Sequence, residues 1–393
     1  MKSLYYYQKE HFNRLTDILE KYKIGIDVSC TGSGKTMVGI HIMNDFLNNK
    51  KIVEKIIVIC PPTLIEHWNN YTTDFSDEKI TIFSSHSLHK FKSKKFSDPF
   101  FVIVDECHLF KNSVKRTQHI KKIIGQSKYC LMMSATPYDD NRQFMNIKEL
   151  FAIKKDIKEH ISAMDFEYKT HTTIDYFHVN QDDEEIKQYE KGYKTIRSCT
   201  SNRGNNESVF RPTLFCSGLQ KIHDSLIQGC IRFLENKLKE DNSTKYILVF
   251  HFLKHFEYIQ NHLSDWKILT MNGSTPIPER KQIVENFQKN DLEYRIICIS
   301  DEVGSVGIEL DDKTGNYPRH MIILPMSNSI NFCQALGRIQ RTKTQSNSWV
   351  SIIQPDRDST YFKTQIDRKF KVLEQFLKVP NIEKKYEKNI INK

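Results

Sequence analysis

The chain has 393 residues, 39% of them hydrophobic and 27% charged, with 58 Lys+Arg against 48 Asp+Glu for a formal charge of +10. That length accommodates two or three domains, each able to bury a core without staples. The basic excess fits either a polyanion binder or an ordinary mixed surface. No apolar run approaches the roughly 20 residues of a membrane span, and the opening MKSLYYYQKE lacks the apolar region of a secretory signal. Nine cysteines scattered singly, with no CxxC pair, argue against a disulfide framework and a zinc site. A soluble, intracellular protein is expected.

Short β-branched runs recur along the first part of the chain: Ile24 to Val28, Lys55 to Cys60, Ile80 to Phe83, Phe100 to Val104 and Tyr129 to Met133. Longer amphipathic stretches such as Met37 to Leu47 and Gln143 to Phe151 alternate with them. The pattern is that of a parallel sheet covered on both faces. It repeats later, with strands expected at Tyr246 to Phe250, Ile268 to Met271, Arg295 to Ile299, His320 to Leu324 and Trp349 to Ile353, separated by helices such as Leu253 to Leu263 and Glu279 to Gln288. Two α/β domains in tandem are predicted. Between them, Thr173 to Val179 reads as one strand, Asp182 to Ile196 as a charged helix, Ser198 to Pro212 as a flexible loop and Gly218 to Lys239 as a second helix. The Lys-rich tail after Leu377 is expected to fray. The predicted domains are 1–165, 241–377, a connector and insertion at 166–240, and a basic tail at 378–393.

Directly after the first strand stands Ser29-Cys30-Thr31-Gly32-Ser33-Gly34-Lys35-Thr36, followed by a helical pattern. Strand, glycine-containing turn and helix form a phosphate-binding loop: backbone N–H groups and the helix N-terminus surround the phosphates, Lys35 neutralises the β and γ groups, and the Thr36 hydroxyl reaches Mg²⁺. Ser29 replaces the first Gly of the general pattern. The complementary acidic pair closes a later strand, in Phe101-Val102-Ile103-Val104-Asp105-Glu106-Cys107-His108. Asp105 is placed to hold Mg²⁺ and Glu106 to orient or deprotonate the attacking water, since carboxylates at a buried strand end are costly unless a cation meets them.

At this point the sequence resembles a helicase superfamily two motor. Thr31 to Thr36 is similar to that family's motif I, Asp105 to His108 (DECH) to motif II, and Ser134-Ala135-Thr136 to motif III, which in the family couples hydrolysis to nucleic-acid contacts. Tyr7-Gln8 resembles the adenine-reading Gln motif, and Cys60 to Trp68 resembles motif Ia of Swi/Snf-type translocases. Ile247 to Phe252 is similar to motif IV, and Thr270 to Thr275 with Glu279, Arg280 and Phe287 to the segment after it. Ile299 to Leu310 resembles motif V, which includes Gly307 and has Glu309 where Asn or Asp is more usual; Gln334 to Arg341 matches QxxGRxxR, motif VI.

The resemblance spans residues 7 to about 353 in the family's order. It implies two tandem RecA-like domains, each a parallel sheet flanked by helices, with ATP and Mg²⁺ in the cleft between them. Gln8, Thr31 to Thr36, Gly307 and Glu309 would bind ATP. Gln334, Arg338 and Arg341 would complete catalysis from the second domain. Two guanidiniums three residues apart on a helix share a face, and an arginine finger is worth about 10³ to 10⁵ in rate in other phosphoryl-transfer systems.

Nucleic acid as the track is likewise implied by the resemblance. Carried over, its contacts are Pro61, Thr63, Ser85, His251, Asn272, Gly273 and Ser300, gripping mainly backbone. Lys90 to Phe96 is a basic run with aromatic residues, read either as backbone-binding or as a solvated loop. Trp68 in motif Ia and the Gly337 to Arg341 sequence favour DNA over RNA, closest to the compact DNA-remodelling helicases of phages and large DNA viruses. The rivals are an RNA helicase of similar build, an ATP-clamped binding subunit without motor activity, and a small-molecule kinase or GTPase. The last should lack Gln334 to Arg341. A monomer recruited by protein partners and not by a membrane is expected.

Overall fold

The computed structural model describes residues 2–89, 98–112, 115–138, 141–150, 157–165, 169–203, 207–301, 308–326, 328–355 and 382–391. They fall into two compact units, one from Met1–Tyr168 and one from Lys169–Ile366 with Asn381–Lys393. Among the described residues no helix is long and apolar enough to cross a membrane. No disulfide joins any of the nine cysteines.

The first unit runs α1 (Tyr6–Tyr22), β1 (Ile24–Asp27), α2 (Lys35–Asn44), β2 (Lys55–Cys60), α3 (Ile65–Tyr71), β3 (Ile80–Ser84), β4 (Phe100–Asp105), α4 (Lys115–Gln126), β5 (Tyr129–Met133), α5 (Asn141–Leu150) and β6 (Ile161–Ser162). Its six strands are all parallel, in the order β3-β2-β4-β5-β1-β6. Alternation within the strands feeds two cores. Phe100, Val102 and Val104 pack with Ile57 and Ile59 on one face, while Phe101 and Ile103 pack with Ile56, Val58 and Trp68 on the other. Burial on both faces explains why these strands are apolar throughout. Helix α1, which hydropathy alone did not single out, turns Gln8, His11, Leu15 and Leu19 inward. That spacing is one helical stripe, and its first two members are polar.

The second unit runs β7 (Thr172–Val179), α6 (Asp183–Arg197), β8 (Thr200–Arg203), β9 (Glu207–Phe210), α7 (Pro212–Glu240), β10 (Lys245–Phe250), α8 (Lys254–His262), β11 (Ile268–Met271), α9 (Ile277–Gln288), β12 (Ile296–Ser300), β13 (Arg319–Ile323), α10 (Ser329–Ile339), β14 (Ser348–Pro355) and β15 (Ile382–Ile391). Seven of these strands form a parallel sheet in the order β11-β12-β10-β13-β14-β7-β15.

Three expectations change here. The stretch from Ser198 to Pro212 is no plain loop, because β8 and β9 pair antiparallel within it. The Lys-rich tail supplies β15, which pairs with β7 instead of fraying. The segment set apart by composition is built into the second unit: β7 joins its sheet beside β14, and α6 packs on α7 through glycines. A Cβ on Gly192 would stand 2.7 Å from the Gly218 carbonyl, and one on Gly218 2.7 Å from Ile196 Cγ1. Further along α7, a Cβ on Gly229 would meet that of Val179 at 2.6 Å. Only glycine lets these backbones approach so closely.

Candidate active site

Strand register brings three motifs of the first unit to one level. Asp27 of β1 and Asp105 of β4 both align with Met133 of β5, which lies between them. The phosphate loop, the acidic pair and Ser134 therefore all leave the carboxyl edge of the sheet side by side, where open α/β sheets bind ligands.

The loop has the backbone its glycines were expected to supply, with φ of 76° at Gly32 and 93° at Gly34, the N-cap of α2. Lys35 Nζ donates to the carbonyls of Ser29 (2.8 Å) and Cys30 (3.1 Å), and Ser33 Oγ donates to the Cys30 carbonyl at 2.8 Å. Thr31, Lys35 and Thr36 are half-buried and Gly32 is exposed. Gln8 is buried against the loop: its Nε2 donates to the Ser33 carbonyl at 3.0 Å and its Oε1 accepts the Tyr5 N–H at 3.0 Å. A Cβ on Gly34 would collide with that Nε2 at 2.3 Å. Gln8 thus braces the loop directly.

Asp105 is almost wholly buried. Its Oδ1 accepts the Glu106 N–H and its Oδ2 accepts the indole N–H of Trp68, each at 2.9 Å. Burial, and then the neighbouring Glu106 charge, raise its carboxyl well above the usual range; Trp68 and Lys35 oppose them in part. Glu106 adopts a left-handed backbone, φ 50°, a conformation uncommon outside glycine and found at functional sites. Its Oε2 lies 3.2 Å from His108 Nδ1 and accepts the Ser134 hydroxyl at 3.4 Å; His108 Nδ1 is also 3.1 Å from Ser134 Oγ. Ser134 Oγ further accepts the Thr136 N–H at 3.2 Å. Motifs II and III are joined through these atoms, with Ala135 and Thr136 buried beside them.

Beneath the loop lies a network the sequence reading missed. Asp27 and His11 are both fully buried, and His11 Nε2 stands 3.1 Å from Asp27 Oδ1. That same oxygen accepts the Ser29 N–H at 2.9 Å and the Ser29 hydroxyl. Ser29 Oγ in turn accepts the Met164 N–H at 2.8 Å, and Ser162 Oγ is 3.1 Å from His11 Nδ1. Burial raises the Asp27 carboxyl, but His11 and the hydrogen bonds outweigh it and hold it below the usual range. The departure at Ser29 is thereby explained, since a glycine there would have no hydroxyl to join Asp27 to the Met164 backbone just beyond β6. An Asp inside an otherwise apolar strand was the available signal.

In the second unit, α10 ends at Ile339 and Gln340 is extended, so Arg341 lies beyond the helix that was expected to carry it with Arg338. The buried Gln340 side chain is held outside the helix, donating to the Thr170 carbonyl at 2.7 Å and accepting the Thr172 hydroxyl at 2.8 Å. The two guanidiniums still converge: Arg338 Nη1 reaches the Ile308 carbonyl at 3.3 Å and Arg341 Nη2 reaches it at 2.9 Å. Glu309 meets Arg341 at 2.9 Å and Lys313 at 2.6 Å. Burial raises its carboxyl, but Arg341 and Lys313 outweigh this and leave it below the usual range. Gln334 is buried, and its Nε2 has no hydrogen-bond partner among the described residues. Gly307 lies outside the described residues.

The residues carried over as nucleic-acid contacts divide by accessibility. Ser85 is fully buried, and among the described residues neither its hydroxyl nor the buried Oγ1 of Thr63 has a hydrogen-bond partner; Pro61 is buried. His251 pairs with Asp301 at 2.8 Å. Asn272 Oδ1 accepts from Ser274 N (2.9 Å) and Oγ (2.6 Å), and exposed Gly273 follows it in a turn held by Arg280. Ser300 is buried at the end of β12. Residues 90–97, with the basic run, lie outside the described residues.

Three family descriptions match in chain order and over these motifs: type III restriction enzyme, res subunit, at residues 1–93; DEAD/DEAH box helicase at 65–144; and helicase conserved C-terminal domain at 229–343. The chain belongs to helicase superfamily two. This superfamily two motor is 23% identical over 475 residues to the putative ATP-dependent RNA helicase L364 of Acanthamoeba polyphaga mimivirus, across 99% of the chain and 81% of that protein. It is 26% identical over 126 residues to transcription termination factor 2 of Drosophila melanogaster, across 31% of the chain and 11% of that protein. Identity to the ATP-dependent helicase fft1 of Schizosaccharomyces pombe is 32% over 84 residues, 20% of the chain and 9% of that protein. The Sulfolobus solfataricus SWI2/SNF2 ATPase core in complex with dsDNA matches over 96% of this chain and 97% of that one, at 14% identity and a TM-score of 0.38.

Proposed function

We propose that this motor hydrolyses ATP to move on, or unwind, DNA. The observation that carries the ATPase reading is the convergence of Lys35, Asp105, Glu106 and Ser134 at one sheet edge. Among the described residues no cluster of three or more His, Cys, Asp or Glu could hold a metal alone. A buried Asp105 beside Thr36's loop instead suits Mg²⁺, which commonly takes one or two protein groups and completes its shell with substrate phosphates and water. Mg²⁺ so held would neutralise charge on the phosphates.

The protein's own groups do the rest. Lys35 leaves the Ser29 and Cys30 carbonyls for the β and γ phosphates, and Glu106, fixed by Ser134 and His108, orients the attacking water and takes its proton. Arg338, Arg341 and Gln334 are carried as catalytic groups by the motif VI sequence alone, in which an arginine finger stabilises charge on the γ-phosphate oxygens. Lys35→Ala and Glu106→Gln should each abolish turnover, Glu106→Gln while retaining ATP binding. Substantial hydrolysis by the Glu106→Gln protein would remove its assigned role.

DNA as the track rests on motif Ia with Trp68 and on the motif VI sequence. An RNA track is the second reading, favoured by the description of the mimivirus relative as an RNA helicase. ATPase stimulation by duplex DNA, single-stranded DNA and single-stranded RNA, with a strand-displacement readout, separates them. Stimulation by RNA alone would overturn the DNA reading. Backbone grip predicts that affinity falls steeply with salt for either track.

A further inference from the structure

Trp68 is fully buried on α3, the helix that follows the Pro62–Leu64 turn. An apolar core alone would account for its ring but not for its nitrogen. The indole N–H donates to Asp105 Oδ2 at 2.9 Å, while Oδ1 of the same carboxylate is taken by the Glu106 N–H. With one donor on each oxygen the carboxylate plane cannot rotate without breaking a bond, and each oxygen keeps a further lone pair. The ring also shares a buried cluster with Val38, Ile40 and Met43 of α2, the helix that follows the phosphate loop, and a Cβ added at Gly39 would stand 3.7 Å from Trp68 Cη2. Trp68 is therefore packed in the core with the helix that begins at Lys35 and is bonded directly to Asp105.

We propose that Trp68 is a positioning residue, whose indole N–H holds Asp105 in the orientation that meets the divalent cation of the bound nucleotide. The inference rests on the ATPase reading above. A metal-binding carboxylate fixed by an outer hydrogen bond loses roughly 10- to 100-fold in metal affinity or activity when that partner is removed. An exposed aromatic in the same helix would have no such effect.

The test uses the full chain and a fluorescent ADP analogue, titrated in EDTA and at increasing Mg²⁺. Trp68→Phe keeps an aromatic ring and deletes the N–H. It should bind the analogue in EDTA within about twofold of wild type, yet need about 10-fold more Mg²⁺ for half of the gain in affinity. An unchanged Mg²⁺ midpoint overturns the proposal, and so does an equal loss of affinity in EDTA, which would mean packing alone. Because the Phe variant could misfold, a second measurement leaves Trp68 native. Trp266 and Trp349, both in the second unit, are replaced by Phe, so that Trp68 is the sole tryptophan and can be excited apart from the tyrosines. Adding Mg²⁺ to the ADP-bound protein should change its emission with the same midpoint as the affinity gain; emission indifferent to Mg²⁺ overturns the proposal. Wild-type protein that binds ADP no better in Mg²⁺ than in EDTA removes the ATPase reading itself, a failure distinct from one confined to Trp68→Phe.

Discussion

Replacing His11 with Ala should unfold the first unit more easily than any surface change, because it removes the imidazole from the buried Asp27 carboxylate and leaves it the Ser29 hydrogen bonds. Both partners are inaccessible to solvent, 3.1 Å apart. Breaking such a pair from one side costs about 3–5 kcal/mol, compared with about 1–3 kcal/mol for losing a neutral buried hydrogen bond. Trp68 is the first unit's single tryptophan, so urea unfolding followed by its emission in the protein lacking Trp266 and Trp349 isolates that unit. With a urea slope of about 2 kcal/mol/M, the midpoint should fall by about 1.5–2.5 M. The double variant His11→Ala/Asp27→Asn should recover at least half of the loss, since no ion remains. The pH sign follows from the Asp27 carboxyl, held low in the folded protein. Its contribution is present above the unfolded carboxylate range and is lost as pH falls through the lower native value, so wild type and variant should converge in acid. A midpoint shift under about 0.5 M at neutral pH, or a gap independent of pH, would refute the argument that charge burial dominates.

Other consequences are equally open to measurement. Ser29→Gly restores the family's glycine but deletes the hydroxyl between Asp27 and Met164; it should lower the melting temperature and weaken nucleotide binding, and unchanged values would show the hydroxyl to be incidental. Gly192→Ala should destabilise the second unit by about 1–3 kcal/mol through overpacking against Gly218 and Ile222, read by chemical denaturation with Trp266 and Trp349. His223 and His320 are buried in the second unit and burial lowers each to about 3. A depressed imidazole contributes stability above its unfolded value and loses it as pH falls, at about 1.4 kcal/mol per pH unit for each. The second unit should therefore melt at markedly lower temperature at pH 5.5 than at pH 7.5, and replacing both by apolar residues should flatten that dependence. Arg341→Ala should leave ATP binding largely intact and lower turnover by orders of magnitude; a loss in binding alone would contradict its assigned role.

Much of this protein is settled by local chemistry and is visible in the sequence. Strands buried on both faces are continuous apolar runs, so Lys55–Cys60 and Tyr129–Met133 were delimited to the residue. The phosphate loop, the DECH turn and the motif VI arginines were equally legible, because each chemistry needs particular residue types at fixed spacing. Composition misled where pairing is non-local. The Lys-rich tail is polar, yet it supplies β15, whose partner β7 lies about 200 residues earlier in the chain; the polar stretch from Ser198 to Pro212 instead pairs with itself as β8 and β9. The tertiary structure alone decided that Gln340 leaves its helix, that Ser85 is buried, and that Gln8 and His11 on α1 support a loop some 20 residues away. Sequence spacing predicts neighbours along a helix or strand. The hydrogen bonds from Trp68 to Asp105 and from His11 to Asp27 join separate elements, and only the packing of those elements against one sheet brings the atoms within reach.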